Sequence, residues 1–546
     1  MTSYDSILEA SIKHRKPTGR TFQYGTSGFR MKADLLDSVV FRVGLLAALR
    51  SRKHSGKTIG VMITASHNPP ADNGVKLVDP MGEMLETSWE THATQLANAE
   101  TDEALLEVYK QLEADLKINP NQASRVIYAR DTRASGPSLV SALVDALQAT
   151  HTEYTDYKIL TTPQLHYLVR CANTQGTKDE YGELSEKGYY EKLGRAFVKA
   201  LDGRKPNGAV AVDCANGVGG GKLRELIKFL PSVSDGGVEI NVVNDDVVRP
   251  ESLNHQCGAD FVKTQQRLPP SSKVGPLERC ASLDGDADRI VYYFLDSDSH
   301  FRLLDGDKIA TLAASFIGDL ARTAGLAEKL KVGVVQTAYA NGSSTDYITK
   351  QLQLPVVCTP TGVKHLHHAA ARFDVGVYFE ANGHGTVVFS DTALKALATY
   401  DPQSPAQKSA LETLRALTEL INQTTGDALS DLLFVEVILA HKSWGPNEWD
   451  GTYTDIPNRL VRVEVPDRNK FKAVDAERRL EEPAGAQAQI DSLVAKYKLG
   501  RSFVRASGTE DAVRVYAEAA TSGEVEDLAN KVTAIVKQVG GQSIEL

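Results

Sequence analysis

The sequence predicts an α/β protein of three or four domains ending in a smaller α+β unit, and three observations carry that prediction. The chain has 546 residues, too many for a single core at about 150 residues per domain. Short apolar runs of strand length alternate with stretches of helical spacing, and the alternation restarts after a polar segment at 173–188 and again near Asp305. Beyond Trp444 the strands 453–465, 503–505 and 514–519 mix with helices at 489–497 and 524–539, the order of an α+β domain. The predicted domain limits are 1–185, 186–300, 301–440 and 441–546.

Taken in order, Gly25-Thr26-Ser27-Gly28-Phe29-Arg30 is a turn of small residues whose backbone N–H groups can nest an anion, with one guanidinium to clamp it. Residues 37–50 carry apolar side chains at helical spacing and lead to a buried strand at 58–63. Directly after that strand comes Thr64-Ala65-Ser66-His67-Asn68-Pro69-Pro70, which places a hydroxyl where a strand leaves the core. His67, Asn68 and Lys76 surround that hydroxyl with groups suited to a nucleophile carrying an anion. A helical stretch at 87–116, a strand at 126–129 and a helix opened by Ser135-Gly136-Pro137 follow, the serine standing at the N-cap position. Arg130 and Arg133 flank Asp131 as phosphate contacts or as its ion-pair partners.

The second unit has a strand at 209–213 and then Asn216-Gly217-Val218-Gly219-Gly220-Gly221-Lys222. This run departs from a nucleotide-binding P-loop at Asn216 and Leu223, so its glycines are assigned to a tight turn and close packing. Ala281 to Val291 contains Asp284, Asp286 and Asp288 at alternate positions between two apolar runs, followed by Arg289. Three carboxylates so placed can aim oxygens at one hard cation, and Mg²⁺ fits a site that leaves positions open for phosphate. A calcium EF-hand is excluded, because Arg289 stands where that loop has glycine and Leu295 where it has glutamate.

The third unit offers Lys364 and His365 at a strand-to-helix turn, while His365, His367 and His368 spread over different faces of a helix and do not form a ligand set. An apolar run then ends in Glu380-Ala381-Asn382-Gly383-His384, where Glu380, Asn382 and His384 alternate and suit sugar hydroxyls or an N-acetyl group. A helix at 407–422 is followed by a linking stretch to Trp444. In the last unit Arg505-Ala506-Ser507-Gly508-Thr509 has the composition of a phosphate cradle.

Net charge is −9, with no long Lys/Arg run, which argues against nucleic acid or an anionic membrane surface as partner. The N-terminus lacks the apolar core of a signal peptide, and no window approaches a membrane span. Five scattered cysteines without a CxxC exclude a zinc knuckle or disulfide framework, so a soluble protein of a reducing cytoplasm is expected. No G-x-S-x-G elbow surrounds Ser66, which removes a serine hydrolase.

TASHNP, DGDADR, EANGHG and RASGTED, in that order, closely resemble the four loops of the α-D-phosphohexomutase superfamily. The resemblance runs from GTSGFR to near residue 515 and implies three similar mixed α/β domains plus a smaller C-terminal α+β domain around a central cleft. The four domains would carry, in turn, the phosphoserine loop, the metal loop, the sugar loop and the phosphate loop. Glucose and mannose members typically have Gly-Glu-x-Ser-Gly-His in the sugar loop; Phe379 before Glu380 and Asn382 in place of serine point to the branch acting on N-acetylglucosamine phosphates.

What the resemblance implies is interconversion of N-acetylglucosamine 6-phosphate and N-acetylglucosamine 1-phosphate, on the way to UDP-N-acetylglucosamine. Ser66 would be the phosphate carrier and a ligand of Mg²⁺ together with Asp284, Asp286 and Asp288, with a sugar 1,6-bisphosphate as intermediate and activator. Glu380, Asn382, His384 and Lys364 would contact the sugar, Arg289 would add counter-charge, and Arg505, Ser507, Gly508 and Thr509 would hold the distal phosphate. Lys76, His67 and Arg30 are the candidates for handling the proton of the attacking hydroxyl, with Lys76 or His67 favoured because an arginine does not normally give one up.

Overall fold

The computed structural model describes residues 3–507 and 512–541. The chain forms two compact units: Met1–Asp305 with Asn382–Thr386 and Leu411–Pro446, and Gly306–Ala381 with Val387–Ala410 and Asn447–Leu546.

The first unit holds two five-stranded mixed sheets. In the first, the order is Phe29–Lys32, Asp72–Val78, Thr58–Ile63, Arg125–Arg130, Glu153–Ile159. Thr58–Ile63 is central and wholly buried, as a run of six apolar and small residues in a two-sided sheet should be. It runs parallel to Arg125–Arg130 and antiparallel to Asp72–Val78, with Met62 opposite Lys76. That register returns Lys76 to the end of the sheet where Ser66 emerges. The helix Asp37–Lys53, buried from Ser38 to Arg52, supplies much of the core, through Val39, Val43, Leu46 and Ala47.

The second sheet has the order Phe301–Leu304, Ile290–Leu295, Arg279–Leu283, Ala209–Asp213, Glu239–Val243. Arg279–Leu283 pairs antiparallel with Ile290–Leu295, and the last pair is Leu283 with Ile290. The DGDADR hexapeptide is thus the loop of a hairpin, which pins both its ends. The helix Val218–Ile227 begins with the glycine run, and Gly217 lies so near the metal loop that a Cβ there would come within 2.4 Å of Gly285 O. Close packing is the role of that glycine.

Val356–Thr359, Val332–Thr337 and Val375–Phe379 of the second unit are parallel strands of a four-stranded sheet whose last strand is Gly385–Phe389. Asn458–Glu464, Ala512–Glu518 and Arg501–Ala506 form an antiparallel sheet covered by Ala486–Val494 and Ser522–Gly540. The mixed α/β class and the α+β character of the C-terminal portion agree with the sequence reading.

Three local expectations are corrected. The stretch 87–116 is two helices, Thr87–Asn98 and Asp102–Asp115, because Thr101 caps the second by accepting from Ala104 N–H. Ser135 stands at the N-cap of Gly136–Ala149 without a capping bond; its hydroxyl accepts from Asn73 Nδ2 instead, at 2.8 Å. The stretch after Asn422 is no linker but a helix, Ala428–Lys442, buried on every face from Ala428 to Ala440 and so without the amphipathic period that marks a surface helix. Among the described residues no helix is long and apolar enough to cross a membrane.

Candidate phosphoserine and metal site

Ser66 is fully buried and holds a left-handed backbone conformation, φ 51°, uncommon for a residue with a Cβ. Its N–H donates to Thr64 Oγ1 at 2.9 Å, and the Thr64 hydroxyl donates to Asp131 at 2.7 Å. Arg133, buried beside Asp131, donates from Nη2 to the carbonyls of Ser66 and Asn68, both at 2.9 Å, and from Nη1 to those of Pro69 and Asp72. Asn254 Nδ2 donates to the same Ser66 and Asn68 carbonyls at 2.9 and 3.1 Å. With the loop's carbonyls held in this way, the Ser66 side chain faces the metal loop, where its hydroxyl donates to Asp284 Oδ2 at 2.5 Å.

Asp284, Asp286 and Asp288 are all buried, and one oxygen from each lies within 4.8 Å of the others. Asp284 Oδ1 accepts from the N–H groups of Asp288 and Arg289 at 3.0 and 3.2 Å. Asp286 Oδ2 accepts from the Thr162 hydroxyl at 2.6 Å. Lys76 Nζ stands 3.5 Å from both Asp286 and Asp288, His384 Nδ1 3.4 Å from Asp288 Oδ1, and Arg289 Nε 3.8 Å from Asp284 and Asp288. Burial, then Asp288 and Asp286, push the Asp284 carboxyl well above the usual carboxylate range. Burial acts the same way on Asp288, but His384 and Lys76 outweigh it and hold that carboxyl well below.

This donor set fits Mg²⁺. Buried like charges in such proximity are costly without a compensating cation, all three ligands are hard oxygen donors, and Asp286 Oδ1 and Asp288 Oδ1 have no hydrogen-bond partner among the described residues. A second acidic group, Asp296, Asp298 and His300, lies on the hairpin turn before Phe301, where Asp296 accepts from the N–H groups of Asp298 and His300. That arrangement is explained by the turn itself.

His67 Nδ1 is 3.4 Å from Ser66 Oγ, and Arg289, burial and Arg30 push its imidazole well below the usual value. Arg30 is half-buried; burial lowers its guanidinium against the pull of Asp286. Asn382 Oδ1 accepts from His384 N–H at 3.0 Å, and His384 turns its ring toward Asp288. Gly383, at φ 87°, accepts at its carbonyl from Ile290 N–H and leaves no room for a Cβ against Ile290 O.

In the second unit Glu380 and Lys364 are half-buried, at the end of Val375–Phe379 and the start of Val363–Ala370. Arg505 Nε donates to Glu477 Oε1 at 2.8 Å, and the same glutamate accepts from Thr361 N–H and hydroxyl. Ser507 N–H donates to Ala512 O. Gly508 and Thr509 lie outside the described residues. His365 and His368 are exposed while His367 pairs with the Tyr378 hydroxyl, so the three histidines do not converge.

The sequence reading missed Asn254, Thr162 and the turn after Asn422, and left Arg133 between two roles; the structure shows the ion-pair role. Thr162 carried a signal, since Thr161-x-x-Gln164 forms a capping box that fixes the helix N-terminus at Asp286.

Sequence profiles match residues 46–104 and 97–177 to the phosphoglucomutase/phosphomannomutase alpha/beta/alpha domain I. Residues 183–291 and 305–444 match phosphoacetylglucosamine mutase AMG1 domains II and III, and 460–535 the phosphoglucomutase/phosphomannomutase C-terminal domain. The chain is 51% identical to the phosphoacetylglucosamine mutase of Candida albicans, over 98% of this chain and 100% of that one. It is 49% identical to that of Homo sapiens, over 98% and 97%. The structure of Aspergillus fumigatus N-acetylphosphoglucosamine mutase is similar with a TM-score of 0.96 at 65% identity, covering 99% of each chain. Others of that protein show it with GlcNAc-6P and magnesium and, as a serine-to-alanine variant, with glucose 1,6-bisphosphate.

Proposed function

The chain belongs to the phosphoacetylglucosamine mutase family of the α-D-phosphohexomutases, and on that premise we propose that it interconverts N-acetylglucosamine 6-phosphate and N-acetylglucosamine 1-phosphate in UDP-N-acetylglucosamine biosynthesis. The observation that carries the reading is the contact of a buried serine hydroxyl, 2.5 Å from Asp284, with a cluster of three buried carboxylates. Such carboxylates would repel a phosphoserine, which brings about −1.5 to −2 charge, unless a metal stands between them.

In the first half-reaction the free hydroxyl of the monophosphorylated sugar attacks phosphorus on Ser66. The P–Oγ bond breaks as the new P–O bond forms, and the hydroxyl proton leaves to a base. The 1,6-bisphosphate then presents its other phosphate, which returns to Ser66 in the reverse sense; an added sugar bisphosphate accordingly primes the enzyme. Asp284, Asp286, Asp288 and the Ser66 side chain would hold Mg²⁺, which when bound draws charge off the transferring group.

His67 supports the proton-accepting role: its neighbours keep the imidazole neutral, and Nδ1 is 3.4 Å from Ser66 Oγ. Lys76 and Arg289, ion-paired across the carboxylates, supply positive charge around the transferring phosphoryl, and Arg30 adds to it. His384 orients Asp288. Glu380, Asn382 and Lys364 read the sugar, and Arg505, Ser507, Gly508 and Thr509 hold the distal phosphate as a handle shared by both binding poses. The proposed four-domain division keeps the limits 1–185, 186–300, 301–440 and 441–546.

Ser66→Ala tests the reading. The variant folds and binds phosphosugar but loses nearly all mutase turnover; full turnover at saturating sugar bisphosphate would remove the phosphoserine.

A further inference from the structure

One buried structure beside the metal loop has no part in the scheme above: the turn at residues 422–428, between the helices Pro405–Leu420 and Ala428–Lys442. It is polar, yet Asn422, Thr424, Thr425 and Asp427 are at most 5% exposed. Buried polar turns of this kind hold something in place.

The turn makes three contacts with the site. Ala428 N–H donates to the carbonyl of Ala287, the residue at the tip of the loop between Asp286 and Asp288, at 3.1 Å. Gly426 packs so closely that a Cβ on it would lie 2.9 Å from both Asp288 O and His384 Cε1. The Asn422 carbonyl accepts from the hydroxyl of Thr386, two residues beyond His384, at 2.7 Å. One seven-residue turn therefore grips the two segments that bring His384 to Asp288.

Asp427 anchors the turn. It accepts from the Tyr189 hydroxyl at 2.9 and 2.8 Å, from Asn422 Nδ2 at 3.0 Å, and from the N–H groups of Leu429 and Ser430 as the helix N-cap. Tyr189 lies on the helix Glu186–Leu201, a separate element from the metal loop.

We propose that residues 422–428 are a positioning element for the cation site, in which Gly426 sets the separation of His384 from Asp288 and Asp427, held by Tyr189, keeps the turn in register. The inference rests on the reading of residues 284–289 as a Mg²⁺ loop. Partners that orient metal ligands typically change affinity by about 10- to 100-fold when altered.

The test titrates Mg²⁺ calorimetrically into the full chain, wild type against Gly426→Ala and Tyr189→Phe, with thermal midpoints and mutase kinetics alongside. Gly426→Ala is expected to weaken Mg²⁺ binding about 10-fold and to lower kcat with little change in the KM for the sugar phosphate. Tyr189→Phe, which removes the hydroxyl that holds Asp427, is expected to weaken it about 3-fold and decides the matter alone if the glycine variant does not fold. Variants that bind Mg²⁺ as tightly as wild type, whatever their thermal midpoints, overturn the positioning role. A wild-type chain that binds no Mg²⁺ overturns the metal-loop reading and this inference with it.

Discussion

Gly285 is where the serine loop and the metal loop meet, and it offers a quantitative test of how closely they must approach. A Cβ at that position would lie 2.5 Å from the Ser66 carbonyl oxygen. Ordinary contact starts at 3.4 Å, so Gly285→Ala must open the two loops by 0.9 Å, the difference of those distances. Relief on the other side is closed off, because Gly217 already packs against Gly285 O. A misplacement of about 1 Å costs on the order of 10²-fold in rate, or about 2.7 kcal/mol of transition-state stabilisation. The expected result is a kcat/KM for N-acetylglucosamine 6-phosphate lowered about 100-fold, with the circular dichroism spectrum unchanged. Activity within about 3-fold of wild type in a folded variant would refute the claim that this separation governs transfer.

Other perturbations follow the same logic. Arg133→Ala leaves Asp131 without its ion-pair partner and removes the guanidinium bonds to four loop carbonyls, of which those of Ser66 and Asn68 keep Asn254, so urea unfolding should show a loss of about 3 kcal/mol or more; a loss below about 1 kcal/mol would contradict the clamp. His67→Gln should lower kcat by about 10²- to 10⁴-fold if the imidazole takes the proton, and an unchanged kcat would move that role to Lys76. His166, buried with Nδ1 2.6 Å from Gly82 O, is pushed down to about 3, mainly by burial and then by Lys76. The unfolded chain takes up a proton near pH 6.5 while the folded one does not, so this histidine favours folding above that pH and costs about 1.4 kcal/mol per unit as pH falls below it. Urea unfolding at pH 7.5 and 5.5 should show a smaller drop for His166→Asn than for wild type; equal drops would refute the assignment.

Much of the site was legible because its chemistry sits in contiguous loops at strand ends. TASHNP follows a wholly buried strand, and DGDADR spans a hairpin, so in both cases local sequence shows the geometry. Asn254 and Thr162 were not legible, since each acts on a residue far away in sequence, Ser66 and Asp286, through a single bond. His384 read as a sugar contact from its alternation with Glu380 and Asn382, but Gly383 binds that loop to Ile290 and turns the ring toward Asp288. The helix Ala428–Lys442 escaped because a helix buried all round has no polar face to set its period.

In the proposed reaction Ser66 carries a phosphate that it gives to and takes from the sugar beside the three aspartates. The direct measurement is phosphopeptide mass spectrometry of the chain after treatment with glucose 1,6-bisphosphate and Mg²⁺, before and after adding N-acetylglucosamine 6-phosphate. One phosphate on the peptide containing Ser66, lost to the sugar on addition and absent from Ser66→Ala, is the predicted result. Sustained turnover with no phosphate on Ser66 at any stage would contradict it.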